Sequence, residues 1–117
     1  MPTDPISYQL AIRLEKPVRC VIGKLGTFEF PAGDYLYTGS ATRGLEARIA
    51  RHLRHAKTCH WHIDYLSAVP EFRITRVLRS ALGECRLNQA AAGRILVPGF
   101  GATDCRAGCG SHLKFLG

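Results

Sequence analysis

Residues 35–56 read YLYTGSATRGLEARIARHLRHA, a short run of strand formers closed by a glycine and followed at once by a helical pattern. Tyr35, Leu36 and Tyr37 predict a strand that ends at Gly39. From residue 43 to 56 the period changes. Leu45, Ile49 and Leu53 recur at i, i+4 and i+8 and predict one apolar stripe along a helix. Thr42 is the expected N-cap, and Glu46 stands in the first turn, where the helix dipole favours an acid. At about 100° per residue, Arg48, His52 and His55 align along one edge of the stripe. Arg51 and Arg54 are expected to point outward, toward solvent or a phosphate backbone.

Working outward, residues 6–14 (ISYQLAIRL) and 18–23 (VRCVIG) alternate in short period and predict two strands. Gly23 and Gly26 frame a turn, and residues 27–30 (TFEF) predict a third strand before Pro31 and Gly33. Downstream, residues 60–69 (HWHIDYLSAV) predict a short helix. Residues 72–80 (FRITRVLRS) begin as an alternating strand and lose phase near Arg76. Residues 84–93 (ECRLNQAAAG) predict a helix stopped by Gly93, and HLKFL (112–116) predicts a closing strand. This order predicts an α+β fold, a small and mainly antiparallel sheet flanked by helices. With 117 residues and no internal repeat, the chain is expected to form a single domain over 1–117.

Hydrophobic residues make up 46% and charged residues 21%, an ordinary globular balance that excludes wholesale disorder. Sixteen Lys and Arg against nine Asp and Glu give a net charge of +7, which suits a polyanionic partner such as nucleic acid. A merely soluble basic protein is the bland alternative. The charge is concentrated: Arg43, Arg48, Arg51, Arg54 and Lys57, with His52 and His55 among them, face one acid, Glu46. No apolar run is long enough to cross a bilayer, and the N-terminus carries no basic and apolar leader pattern. A cytoplasmic protein with no membrane partner is therefore expected. Five cysteines, an odd number, point to free thiols or metal ligands rather than a disulfide framework.

Ile6-Ser7-Tyr8 on the first strand and Tyr37-Thr38-Gly39 on a later one, then Arg48 and His52 on a helix and Glu84 opening another, resemble the GIY-YIG endonuclease superfamily. The run GDYLYTGSA (33–41), the run HWHIDYL (60–66) and the tail GFGATDC (99–105) with SHL (111–113) resemble its Uri-type branch, over nearly the whole chain. Two departures stand out. Ile6 occupies the first triplet's glycine position, and Tyr8 and Tyr37 are further apart than in the wider superfamily. The extra length is the 18–30 segment, read as an inserted β-hairpin. The resemblance implies a metal-dependent endonuclease acting on DNA, in repair or processing, with Tyr8, Tyr37, Arg48, His52 and Glu84 as catalytic residues.

The residue types fit that chemistry. Phosphodiester hydrolysis needs an activated water, neutralisation of phosphorane charge and help for the leaving oxygen. Glu84 would hold one Mg²⁺ or Mn²⁺, since a lone carboxylate with waters suits a hard cation. Arg48 offers a permanent planar cation. Tyr8 or Tyr37 would accept the water's proton, provided the metal and arginine lower its pKa, and His52 would orient the tyrosine or be the base itself. Gly39, Arg43, Arg51, Arg54, Lys57, His60 and His62 are the expected nucleic-acid-binding residues. Each also has a structural role open to it. Strand tyrosines commonly sit at core edges, a helix arginine is commonly solvated, and a glutamate opening a helix favours the dipole.

His60, His62 and Asp64 around Trp61 fit metal ligation or a DNA-facing surface, or else a helix start with Trp61, Ile63 and Leu66 in the core. Cys105, Cys109 and His112 could supply three Zn²⁺ ligands, with Cys59, Cys85 or a histidine as the fourth; buried thiols are the alternative. Two rival functions follow: a non-catalytic nucleic-acid-binding module, and a zinc-bound structural domain.

Overall fold

In strand β1 (Ser7–Leu14) every second side chain enters the core. Tyr8, Leu10, Ile12 and Leu14 are each at most 2% exposed, whereas Arg13 faces solvent. In the computed structural model, which describes residues 5–41, 43–54, 59, 61–101 and 108–117, this strand is central to the main sheet. It lies between β4 (Gly33–Ser40) and β5 (Phe72–Ser80), and β6 (Leu113–Phe115) joins β4, giving the antiparallel order β5-β1-β4-β6. A second, two-stranded sheet pairs β2 (Val18–Ile22) with β3 (Gly26–Phe30). Helices α1 (Leu45–Leu53), α2 (His62–Ser67) and α3 (Glu84–Ala90) complete an α+β fold, as the sequence predicts. Among the described residues no helix is long and apolar enough to cross a membrane.

The 18–30 segment is the expected hairpin, and it does structural work. Its inward residues Cys20, Ile22 and Phe30 are buried in the same core as Leu10, Ile12 and Tyr35. Cys20 Sγ donates to the Tyr65 carbonyl at 3.3 Å, tying the hairpin to α2. Leu45 and Ile49 of α1, Ile63 and Leu66 of α2, Val97 and Phe100 close the same core. Fully burying one Leu or Ile side chain contributes about 1.5–3 kcal/mol, so this single core accounts for most of the favourable free energy.

The loss of phase expected near Arg76 is a β-bulge. Ala11 pairs with Arg76 but Ile12 pairs with Ile74, so Thr75 is the extra residue on β5. Its hydroxyl donates to the Ala11 carbonyl at 3.2 Å. The slip lets Ile74 and Val77, three apart, both pack against the core.

The opposite face of the sheet is polar. Ser7, Gln9 and Thr38 are buried there, with Gln9 Nε2 donating to Thr38 Oγ1 at 3.3 Å. Lys114 lies between the core residues Leu113 and Phe115, so alternation sends it to this face. Its Nζ donates to the Asn88 and Ala91 carbonyls at 3.2 and 3.1 Å, at the end of α3, where a cation offsets the dipole. The helix therefore stops at Ala90, short of Gly93, because a lysine from β6 caps it. Gly93 (φ 140°) instead lets the backbone pass close to Lys114.

Helix α1 departs from expectation in three ways. Its N-cap is Gly44, at φ 65°, while Thr42 lies outside the described residues. Leu53 is 51% exposed, and the third inward position belongs to His52, which is 3% exposed. The buried spacing is thus i, i+4, i+7, a stripe that follows the 3.6-residue turn more closely than i+8 does. Arg51 does not point to solvent. Its Nη1 and Nη2 donate to Asp64 Oδ1 and Oδ2, both at 2.9 Å, and its guanidinium lies over Trp61, 4.3 Å from the ring centroid.

Asp64 has no exposed side-chain surface. Its Oδ2 also accepts the Trp61 backbone N–H at 2.8 Å, so one carboxylate caps α2 and fastens it to α1. The pair raises the Arg51 guanidinium above its ordinary value, chiefly through the hydrogen bonds to Asp64. Asp64→Ala should cost about 3–5 kcal/mol in urea unfolding, because it strands a largely buried guanidinium. Glu15→Ala, which breaks the exposed pair with Arg73, should change little. Equal effects of the two substitutions would refute the clamp.

Candidate active site

The register of β1 against β4 sets Tyr8 opposite Gly39 and Leu10 opposite Tyr37. A Cβ on Gly39 would lie 2.4 Å from the Tyr8 hydroxyl, so only glycine lets the Tyr8 ring lie across that strand. This steric need, rather than backbone freedom, explains the glycine after Tyr37-Thr38.

The hydroxyl of Tyr8 meets His52 Nε2 at 2.7 Å, with ring centroids 5.3 Å apart. His52 also packs edge-on against Tyr37 at 6.0 Å and tilted against Trp61 at 5.5 Å. The loss of Leu53 from the stripe therefore has a cause: the inward position of α1 is occupied by an imidazole that bonds a tyrosine. Arg48, one turn earlier, donates from Nη1 to the Ser40 carbonyl at 2.7 Å and lies 4.9 Å from the Trp61 ring centroid. Trp61 thus carries two arginine faces, from Arg48 and Arg51.

Glu84 completes the group from the first turn of α3. Its Oε1 accepts from Ser40 Oγ at 3.1 Å and its Oε2 from His112 Nδ1 at 3.0 Å. Burial alone would raise this carboxyl, but the hydrogen bonds from His112 and Ser40 and the nearby Arg48 charge hold it below its ordinary value. It is a charged carboxylate at neutral pH, and each oxygen keeps a further lone pair. Tyr8, Tyr37, Ser40, Arg48, Trp61 and Glu84 line one open cleft of about 160 Å³, with Gly39 and Gly101 completing its wall. His52 stands behind Tyr8, out of the cleft.

The protein's own groups do not lower the two tyrosine hydroxyls. Burial pushes both hydroxyls well above their ordinary value, and Arg48 offsets only part of that. Among the protein's own groups, the one hydrogen-bonded to the Tyr8 hydroxyl is His52.

The expected nucleic-acid residues are divided. Arg43 and Arg54 are exposed near the two ends of α1. Arg51 belongs to the clamp with Asp64, and Lys57, His55 and His60 lie outside the described residues. His62 Nδ1 accepts the Gly101 N–H at 2.8 Å and its ring packs on Phe100 at 5.6 Å, and burial lowers its pKa. His62 thus holds the 97–101 turn against α2. Among the described residues Asp64 joins no group that could hold a metal ion, and it is buried; Ile63 and Leu66 are core residues, while Trp61 is half-buried.

Of the expected zinc ligands, Cys105 lies outside the described residues, whereas Cys109 and His112 meet Cys85, one of the alternatives for the fourth ligand. Cys85, Cys109 and His112 form a group that could hold a metal ion. Cys59 is exposed, and the four described cysteines are free thiols. Asn88, one turn after Glu84, is a structural residue: its Nδ2 donates to the buried Ser111 carbonyl at 2.9 Å.

Sequence reasoning missed Ser40, whose carbonyl holds Arg48 and whose hydroxyl holds Glu84. Its position directly after Gly39 was the available signal. It also missed the His112–Glu84 bond, for which a separation of 28 residues offers no local signal.

No curated protein and no solved structure matches the chain. A family model does, over residues 7–117, which takes in every element described above. The chain belongs to the family described as Domain of unknown function DUF123.

Proposed function

We propose that the protein is a divalent-metal-dependent endonuclease that hydrolyses phosphodiester bonds in DNA, related to the Uri-type GIY-YIG endonucleases and working in the cytoplasm in DNA repair or processing. The observation that carries this reading is the convergence of Tyr8, Tyr37, Arg48 and Glu84 on one cleft, with His52 bonded to Tyr8 behind it. Four strands and helices distant in sequence supply these groups.

Glu84 fits a single hard cation: it is a charged carboxylate in an open, polar cleft with room for water. Mg²⁺ or Mn²⁺ held there would supply Lewis acidity to the phosphate and the leaving oxygen. The chain's own groups do the rest. Tyr8 takes the proton of the attacking water as it passes its own proton to His52 Nε2, leaving a hydroxide to attack phosphorus and an imidazolium beside the neutral phenol. This relay needs no phenolate, which agrees with the raised tyrosine pKa. Arg48, anchored through one nitrogen on the Ser40 carbonyl, turns its remaining N–H groups to a non-bridging oxygen. Arg43 and Arg54, with Lys57 and His60, would track the phosphate backbone.

Incubation with a panel of labelled DNA structures and RNA, in Mg²⁺, Mn²⁺ or EDTA, tests the activity directly; no cleavage of any substrate in either metal would reject it. Binding should be salt-dependent. Arg43→Ala and Arg54→Ala should each lower the slope of log K against log salt by up to about one unit. Unchanged slopes in both would move the DNA face elsewhere.

Tyr8→Phe keeps the ring over Gly39 and removes only the relay. Single-turnover cleavage should fall by about 10²-fold or more, within the usual range for proton-transfer catalysis, while unfolding free energy falls by about 1–3 kcal/mol for the buried His52 nitrogen left without the Tyr8 hydroxyl. A wild-type rate would exclude the relay. Arg48→Ala should slow turnover about 10²–10³-fold while DNA affinity stays within a few-fold, and Arg48→Lys should rescue little. Parallel, modest falls in rate and affinity would instead favour a non-catalytic nucleic-acid-binding module.

A further inference from the structure

Beside Glu84, the next residue in sequence takes part in a different chemistry. Cys85 in the first turn of α3, Cys109 in the glycine-flanked tail and His112 just before β6 each bring one ligand atom within 4.8 Å of the other two. Gly108 and Gly110 flank Cys109 at φ 73° and 77°, a left-handed backbone that turns the tail back onto α3. Cys109 and His112 are buried, 8% and 2% exposed, and Cys85 is half-buried.

We propose that Cys85, Cys109 and His112 bind one zinc ion, in a site separate from the hard-cation position at Glu84 and independent of the nuclease reading. Distance supports it. Tetrahedral zinc with Zn–S near 2.3 Å sets its sulfur ligands about 3.8 Å apart, so the group needs to close by only about 1 Å. Ligand chemistry supports it as well. Two thiolates and an imidazole form a soft set that selects zinc over Mg²⁺ or Mn²⁺. Each thiol releases its proton to solvent on binding. Two thiolates, a neutral imidazole and Zn²⁺ sum to zero charge, which suits a buried site.

The surrounding polar groups orient the ligands. The Glu84 carboxylate accepts the His112 Nδ1–H at 3.0 Å, which fixes the tautomer and makes Nε2 the coordinating atom. Gln89 Nε2 donates to Cys109 Sγ at 3.6 Å, as an amide does to a thiolate. Glu84 would then serve the zinc as the carboxylate of a carboxylate–histidine–zinc triad while its other oxygen stays with Ser40. Zinc bound here would pin the start of α3 to the tail and hold the carboxylate in the cleft.

The test uses the full, reduced, chelator-stripped chain. Titration with Zn²⁺ against a competing chelator should give one ion per chain, and Co²⁺ should give thiolate-to-cobalt charge-transfer absorption with tetrahedral visible bands. Cys85→Ser and Cys109→Ser should each weaken zinc binding at least about tenfold and lower the charge-transfer intensity. Glu84→Gln should weaken it about 10–100-fold while keeping the charge-transfer band, the mark of a positioning residue rather than a ligand. Cys59→Ser should leave both unchanged. Should the cysteine variants not fold, the wild-type chain decides by alkylation: zinc must shield Cys85 and Cys109 and leave Cys59 reactive. No stoichiometric ion, a cobalt spectrum without thiolate character, equal alkylation with and without zinc, or a Cys85–Cys109 disulfide persisting in reductant would each overturn the proposal.

Discussion

A carboxylate with no exposed surface needs partners, and among the donors to Asp64 are both terminal nitrogens of Arg51 and the backbone N–H of Trp61. Desolvating such a group is expensive, and only saturated hydrogen bonding in good geometry offsets it. The requirement fixes α1 against α2 to within the tolerance of a bidentate bond. Once Arg51 is held, Arg48 and His52 on the same helix have little freedom, because α1 cannot rotate without breaking the fork. Trp61, between the two arginines, and His52, against Tyr8, follow from that one constraint. A +7 chain has arginines to spare, and it uses one here as a structural bolt.

Further along, the cleft is a chain of shared groups. Ser40 lends its carbonyl to Arg48 and its hydroxyl to Glu84, and Glu84 passes the connection to His112. Cation and carboxylate are thereby held apart, bridged by a serine, instead of collapsing into a direct ion pair. Separation of that kind leaves a polar opening between opposite charges. A direct Arg48–Glu84 pair would have satisfied both groups and closed the cleft.

Much of the fold was legible in the sequence because periodicity reports burial. The alternation of β1, the glycines punctuating β2 and β3, and even the bulge at Thr75, visible as lost phase near Arg76, all express local geometry. The errors share a physical origin. Leu53 reads as core and His52 as edge on hydrophobicity alone, but a buried hydroxyl from another strand makes the imidazole the better inward residue. Arg51 reads as solvent-facing until Asp64 is known to be buried thirteen positions on. Gly93 reads as a helix stop, but Lys114 ends α3 from across the sheet. In each case a long-range polar contact overrides a short-range pattern, and no local window contains both partners. The candidate cleft shows the same division. Its residue types could be named from spacing and resemblance, whereas Ser40 and the His112 bond emerge only from tertiary structure.

The hairpin between the two tyrosine strands separates distance along the chain from distance in space. Leu14 pairs with Gly33, so β1 and β4 are already closed on each other at the point where β2 and β3 branch off, and the branch forms its own sheet. Lengthening the excursion costs only the slow logarithmic growth of loop entropy, and its length leaves the Tyr8–Gly39 register untouched. Distance along the chain between the two tyrosines is therefore set by the hairpin, while their distance in space is set by the β1–β4 register. A search pattern with a short fixed gap between two tyrosines would pass over this pair, although the hairpin between them leaves the register of their strands unchanged.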